Sequence, residues 1–202
     1  MIEHYFTPKP KSKLELRLIK AWIHGRRFEF LTAPGVFSKR KIDRGTKLLV
    51  DKMVLPDEGL ILDVGCGYGP IGIVAAALNP KLHVILTDIN ERAVWLAKRN
   101  IKRNMIENAE VRKGFLYDAV EGLTFDAILS NPPVSAGMRV VRPLIFGAVK
   151  HLKIGGTLQI VIKSKMKRVF NSMMEDAFGN VETTARGGGY RILLSKKVST
   201  CS

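Results

Sequence analysis

Residues 128–137 read ILSNPPVSAG, an apolar run that ends in an asparagine and two consecutive prolines. Proline has no amide hydrogen, fixes φ and drives the preceding residue out of the helical region, so Asn131-Pro132-Pro133 is a stiff, extended exit from a strand. Such an exit presents two acceptors at fixed places: the side-chain oxygen of Asn131 and the backbone carbonyl of Pro132, with Pro133 adding rigidity. Together they can grip the N–H groups of an exocyclic amino nitrogen, whose lone pair is delocalised into a ring, and turn it towards an electrophile. On these residues alone, a simple strand terminator is an equal alternative.

A second cluster lies upstream, where Asp63-Val64-Gly65-Cys66-Gly67-Tyr68-Gly69-Pro70 separates the run LILDV from PIGIVAAAL. Glycines at this place allow a tight turn and close backbone approach to a ligand at a helix N-terminus. Counted from Gly65, the dinucleotide pattern G-x-G-x-x-G fails at Pro70. Counted from Gly67 it is met by Gly67, Gly69 and Gly72, which leaves a nicotinamide cofactor open. Asp63 favours another ligand, because a carboxylate lining the turn repels pyrophosphate and suits a cationic ammonium. S-adenosylmethionine has that ammonium, a sulfonium and no phosphate. Its ribose hydroxyls need an acceptor at the end of the next strand, where LTDIN places Asp88. A helix cap is the competing role for Asp88.

These groups can meet only if the right elements carry them to one edge. From residue 59 onward the pattern alternates strand and helix: strands over 60–64, 83–88, 110–114, 125–130 and 157–163, helices over 70–78, 90–104, 140–152 and 165–178. Pro70 suits a first helical position, Asn90 can cap the helix after it, and Pro143 falls in the first turn of its helix. Two antiparallel strands, NVETTA and YRILLSK, close the chain around Gly187-Gly188-Gly189. The expectation is an α/β fold with a doubly wound, mostly parallel seven-stranded sheet and an antiparallel C-terminal strand. Before it, residues 16–31 read as a β-hairpin about His24-Gly25, with a helix as the competing reading, and 43–53 read as a helix. We expect a single domain: a basic N-terminal extension, 1–52, in which 1–13 is mobile or draped over the surface, packed on a cofactor-binding core, 53–202.

The chain has 202 residues and a net charge of +15, with 33 Lys and Arg against 18 Asp and Glu. Residues 1–52 hold 13 basic and 5 acidic side chains, so a quarter of the chain carries about half the excess. Such a surface attracts polyanions, RNA first among them, although a merely solvated basic face is the plainer reading. Two cysteines, Cys66 and Cys201, argue against a disulfide scaffold, and the four histidines show no metal-ligand spacing. The absence of a long apolar run or a signal-peptide core points to a cytoplasmic protein without membrane insertion.

With DVGCGYG, TD after the second strand and NPP after the fourth, the sequence resembles class I S-adenosylmethionine-dependent methyltransferases that modify amino or amide nitrogens. More narrowly, APGVFSKRKIDRGTKLL (33–49), LDVGCGYGPIGI, SNPPVSAG and GGGYRILLS are similar to the methyltransferase-small domain of the small-subunit ribosomal RNA guanine-N2 methyltransferase family, over about residues 28–197. The resemblance implies a Rossmann-like fold. It places Asp63, Gly65, Cys66, Gly67 and Gly69 at the methionine end of the cofactor, Asp88, Ile89 and Asn90 at the ribose, and Gly114-Phe115 at the adenine. Asn131 and Pro132 would hold the target amino group, with Asn131 also beside the cofactor. The family often has an acid where this chain has Phe115, and an aromatic where it has Val134. A valine cannot stack on a flipped base, and Phe37 offers a replacement face. Bacterial members carry a further N-terminal domain, so RNA docking here is expected from the basic segment, through Lys39, Arg40 and Lys41.

The leading expectation is therefore methyl transfer to guanine N2 of small-subunit ribosomal RNA, on free RNA or on an assembling subunit. Adenine N6, a transfer-RNA guanine and a protein glutamine amide are alternative acceptors. A noncatalytic RNA-binding assembly factor with the same fold is the rival from another class.

Overall fold

Alternation of apolar and polar residues over 17–32 resolves as two strands rather than a helix. β1 (Arg17–Ile23) and β2 (Arg26–Thr32) pair antiparallel, turning Ile19, Ile23, Phe28 and Phe30 inward. Their two-residue loop has φ of 49° at His24 and 73° at Gly25, the left-handed pair that matches the twist of a tight hairpin. A computed structural model describes residues 12–38, 41–133 and 137–198.

After the hairpin come α1 (Arg44–Lys52), β3 (Gly59–Val64), α2 (Pro70–Leu78), β4 (Leu82–Asp88), α3 (Glu91–Arg103), β5 (Ala109–Lys113), β6 (Phe125–Ser130), α4 (Met138–His151), β7 (Leu152–Lys163), α5 (Lys167–Phe178), β8 (Glu182–Gly187) and β9 (Tyr190–Lys196). Seven strands form one sheet in the order β5-β4-β3-β6-β7-β9-β8, parallel from β5 to β7, with β9 antiparallel to both neighbours. The central strands are apolar runs because both faces are covered. On β3, Ile61 packs under the hairpin, α1, α2 and α3, while Leu62 and Val64 pack under α4 and α5. The doubly wound α/β fold expected of the sequence is the one observed.

Several boundaries shift from expectation, β8 among them, which runs over Glu182–Gly187 rather than NVETTA, and three have a local feature beside them. β7 starts at Leu152 rather than 157, because a register irregularity lets it run through two glycines. A Cβ at Gly156 would lie 2.9 Å from the Phe125 carbonyl oxygen, a backbone approach open only to glycine. α4 starts at Met138, which moves Pro143 from the first turn to the second. Residues 164–166 form a 3-10 turn, so α5 begins at Lys167. Among the described residues no helix is long and apolar enough to cross a membrane.

Candidate active site

Between β3 and β6 the winding of the sheet reverses, and a crevice opens there outside the carboxyl ends of the strands. The glycine turn leaves β3 on its floor. Gly65 and Cys66 donate their amides to the Thr87 carbonyl at 2.8 and 2.9 Å, which ties the turn to the end of β4. Asp88 completes the joint: its Oδ2 accepts from Gly67 N and its Oδ1 from Asn90 N, both at 2.8 Å. Burial pushes the Asp88 carboxyl up to about 6, against the opposing effect of these amide donors. Gly65 and Gly67 have φ of 71° and 58°. A Cβ at Gly65 would meet nothing within 4 Å, so the backbone there faces open space.

Across the crevice, Ser130 Oγ donates to the Val64 carbonyl at 2.8 Å and fixes the end of β6 against β3. Asn131 follows. Its Nδ2 donates to Thr46 Oγ1 at 2.9 Å and to Asp43 Oδ2 at 3.2 Å, both at the start of α1. Asp43 is the N-cap of α1, accepting from Gly45 N and Thr46 N, and its Oδ1 accepts from the Tyr190 hydroxyl at 3.4 Å. Both amide protons of Asn131 are thus taken by the wall behind it. Its Oδ1, the acceptor, carries no hydrogen bond among the described residues.

One cavity, whose empty space together with its open mouth is about 1050 Å³, joins the two sides. Of the residues singled out from sequence, Gly65, Cys66, Gly67, Asp88, Ile89, Gly114, Phe115, Asn131, Pro132, Pro133 and Phe37 line it. Burial pushes the Cys66 thiol up, so it is a neutral wall group.

Four expected residues lie elsewhere. Asp63 is fully buried beneath the turn, its Oδ2 accepting from Gly72 N at 2.8 Å in the first turn of α2. Gly69 packs inward, where a Cβ would lie 2.9 Å from Ile73 Cδ1. Asn90 caps α3 with its Oδ1 and donates from Nδ2 to the Gly35 carbonyl at 2.9 Å. Lys41 is exposed on the loop before α1 and does not line the cavity, although its carbonyl accepts from the hydroxyl of Ser38, which does. Lys39, Arg40 and Val134 lie outside the described residues. The sequence reading missed Asp43, Thr46 and Tyr190, although an aspartate before Gly45-Thr46 at a helix start is a capping signal.

The profile of the methyltransferase small domain matches residues 27–194. The chain belongs to the methyltransferase small domain family. It is 38% identical over 201 residues to YbxB, an uncharacterised protein of Bacillus subtilis, covering 98% of this chain and 100% of that one. It is 34% identical over 170 residues to ribosomal RNA small subunit methyltransferase C of Erwinia tasmaniensis, covering 82% of this chain and 48% of that one. The chain thus spans all of the first relative and about half the length of the second. In structure it matches the T. thermophilus 16S rRNA N2 guanine methyltransferase (RsmC), solved with AdoMet and guanosine, at a TM-score of 0.81 and 25% identity. That match covers 93% of this chain and 52% of the other.

The crevice of this methyltransferase small domain protein fits S-adenosylmethionine. Gly65 and Gly67 form a backbone cradle, with open space where a side chain at Gly65 would stand, Asp88 is the acceptor at the end of β4, and Ile89 and Phe115 give apolar faces for a purine. Asp63 Oδ1 is buried without a hydrogen-bond partner among the described residues, directly below that cradle. The nicotinamide register fails on the same geometry, because it would put Gly69 against the pyrophosphate and Gly69 faces the core. Fold, family and cavity make the protein an S-adenosylmethionine-dependent methyltransferase.

Proposed function

We propose that this protein methylates an exocyclic amino group of an RNA base, with N2 of a guanine in small-subunit ribosomal RNA as the acceptor. One observation carries the reading: Asn131 is held by Asp43 and Thr46 so that an acceptor, not a donor, is left for the substrate. S-adenosylmethionine supplies the methyl group when bound. Asn131 Oδ1 and the Pro132 carbonyl accept the two amino hydrogens, orient the nitrogen, and stabilise the positive charge it gains in the transition state. Pro132 and Pro133 keep that geometry stiff. Phe37, which lines the same cavity at 37% exposure, offers the face on which the base stacks. The net charge of +15 supports RNA over a protein amide as substrate, and the names of the relatives support ribosomal RNA.

The test is to incubate the chain with labelled S-adenosylmethionine and 16S rRNA, small subunits or transfer RNA, followed by nucleoside mass spectrometry. N2-methylguanosine in the ribosomal RNA is the expected product. N6-methyladenosine or a labelled protein glutamine would overturn the acceptor assignment. Tight cofactor binding with no transfer to any RNA would favour the assembly-factor reading.

A further inference from the structure

Charge is segregated along this chain in a way that the fold converts into a surface. Residues 53–133 carry 8 basic and 10 acidic side chains, whereas 137–198 carry 12 basic and only 3 acidic ones. The first stretch builds β5, β4, β3 and β6, and the second builds α4, β7, α5, β9 and β8, so the two lie on opposite halves of one sheet. On the first half the cations are partly neutralised at short range: Arg112 meets Glu110 and Lys113 meets Glu91, both at 2.6 Å. On the second, among the described residues, Lys163, Lys165, Arg168, Arg186 and Arg191 have no carboxylate within ion-pair distance, and neither has Arg44 on α1.

These six cations converge on the edge of the sheet that carries Asn131. Lys163 ends β7 and pairs with Tyr190, and the Ser164 amide then donates to the Gly189 carbonyl at 2.8 Å, joining the 3-10 turn to the β8–β9 turn. Arg186 and Arg191 are directly opposed across the β8–β9 ladder. Like charges in that position repel, and among the described residues neither is ion-paired. A Cβ at Gly188 would come within 3.9 Å of Arg44 Cδ, so α1 closes the patch. From there the path to the site is short, because Tyr190 meets Asp43 and Asp43 meets Asn131.

We propose that the end of β7, the β8–β9 turn and Arg44 form the surface that holds the RNA phosphate backbone beside the target nucleotide. The proposal rests on the RNA reading above and adds where the RNA lies: over β7, β9 and β8, not over the cofactor half. Unpaired cations around an open glycine turn suit a phosphodiester chain, which needs point charges and backbone approach rather than an apolar groove.

The test compares two triple variants with the same change in charge. One is Lys165→Gln/Arg168→Gln/Arg186→Gln. The other, on the opposite half, is Lys81→Gln/Lys98→Gln/Lys102→Gln. Affinity for a labelled single-stranded segment of small-subunit ribosomal RNA is measured across a salt series, and S-adenosylmethionine affinity by calorimetry. The slope of log affinity against log salt should fall by about two in the first variant, roughly 0.7 for each lost phosphate contact on a single strand. The second variant should stay near wild type, and cofactor affinity should hold in both. Equal losses in the two variants, or an unchanged slope in the first, overturn the surface alone. A wild-type chain that binds cofactor but no RNA overturns the RNA reading and the surface with it. Binding of polyglutamate in place of RNA assigns the patch to an acidic protein and overturns the proposal.

Discussion

Asn131 and Thr46 are 85 positions apart and are joined by a hydrogen bond of 2.9 Å in which the asparagine amide donates to the threonine hydroxyl. With Asn131 as the proposed grip on the substrate, the bond sets which end of its amide faces the cavity. Thr46 is a positioning residue: it is 4% exposed and acts through Asn131.

Replacing Thr46 by valine keeps its volume and removes the nearer of the two acceptors, so the Asn131 amide is held by Asp43 alone. We expect Thr46→Val to lower kcat by about tenfold or more, the scale at which small misplacements matter, with S-adenosylmethionine affinity unchanged. Thr46→Ser should restore the rate, while Asn131→Ala should abolish transfer and still bind cofactor. A valine variant with wild-type kcat would remove Thr46 from the positioning of Asn131.

Gly65 offers a separate test of the cradle. Its φ of 71° is strained for any L side chain, and the added methyl would stand in open cavity rather than in packed protein. Gly65→Ala should therefore cost about 1–2 kcal/mol of stability from the backbone alone and weaken cofactor binding disproportionately. Calorimetry set beside a thermal melt separates the two effects. Equal cofactor affinity in the variant would show that the cofactor does not lie against Gly65.

The doubly wound sheet was legible because β3, β4 and β6 are short apolar runs bounded by turn residues, and because Asp88 and Asn131 fall at strand ends where such sheets bind ligands. Spacing along the chain does not say which face a strand residue takes. Asp63 sits two residues before Gly65 and was read as a cavity wall, yet strand alternation puts it on the face of Ile61, under α2. The Asp43 and Thr46 clamp on Asn131 was invisible for another reason. It is made between elements 88 and 85 positions apart, and no local pattern records a contact at that range.

The hairpin depends on a device that can be tested in the same way. Asn100 on α3 is fully buried, with its Oδ1 accepting from Leu31 N at 2.7 Å and its Nδ2 donating to the carbonyls of Leu31 and Tyr68 at 2.9 and 2.8 Å. One side chain thereby pairs with the outer edge of β2 and pins the glycine turn. Asn100→Ala should cost about 2–4 kcal/mol, since buried backbone groups lose their partners and about 1–3 kcal/mol attaches to each such loss. Denaturant unfolding measures it. A change under about 1 kcal/mol would mean that water replaces the amide and that Asn104, which makes the same pair of bonds to Glu29 at the end of α3, holds the hairpin without it.

Asp63 makes stability depend on pH in an unusual direction. Desolvation raises its carboxyl from 3.8 to about 7, and only the Gly72 amide opposes the shift. Between those values the folded chain keeps a proton that the unfolded chain has released, so unfolding sets a proton free and stability falls as pH rises. Asp88 adds a smaller effect of the same sign, raised from 3.8 to about 6. Below about pH 4 both states are protonated and the contribution is at its full value; above about pH 7 it is gone. The whole chain, at +15, has a background that runs the other way, because acid adds to its self-repulsion. The informative quantity is therefore the difference between wild type and Asp63→Asn, which keeps an acceptor for Gly72 and cannot ionise. Between about pH 5 and about pH 8 the wild-type melting temperature should fall relative to that of the variant. Parallel curves would mean that Asp63 titrates at its unfolded value, and that the carboxylate beneath the glycine turn is ionised and solvated rather than sealed.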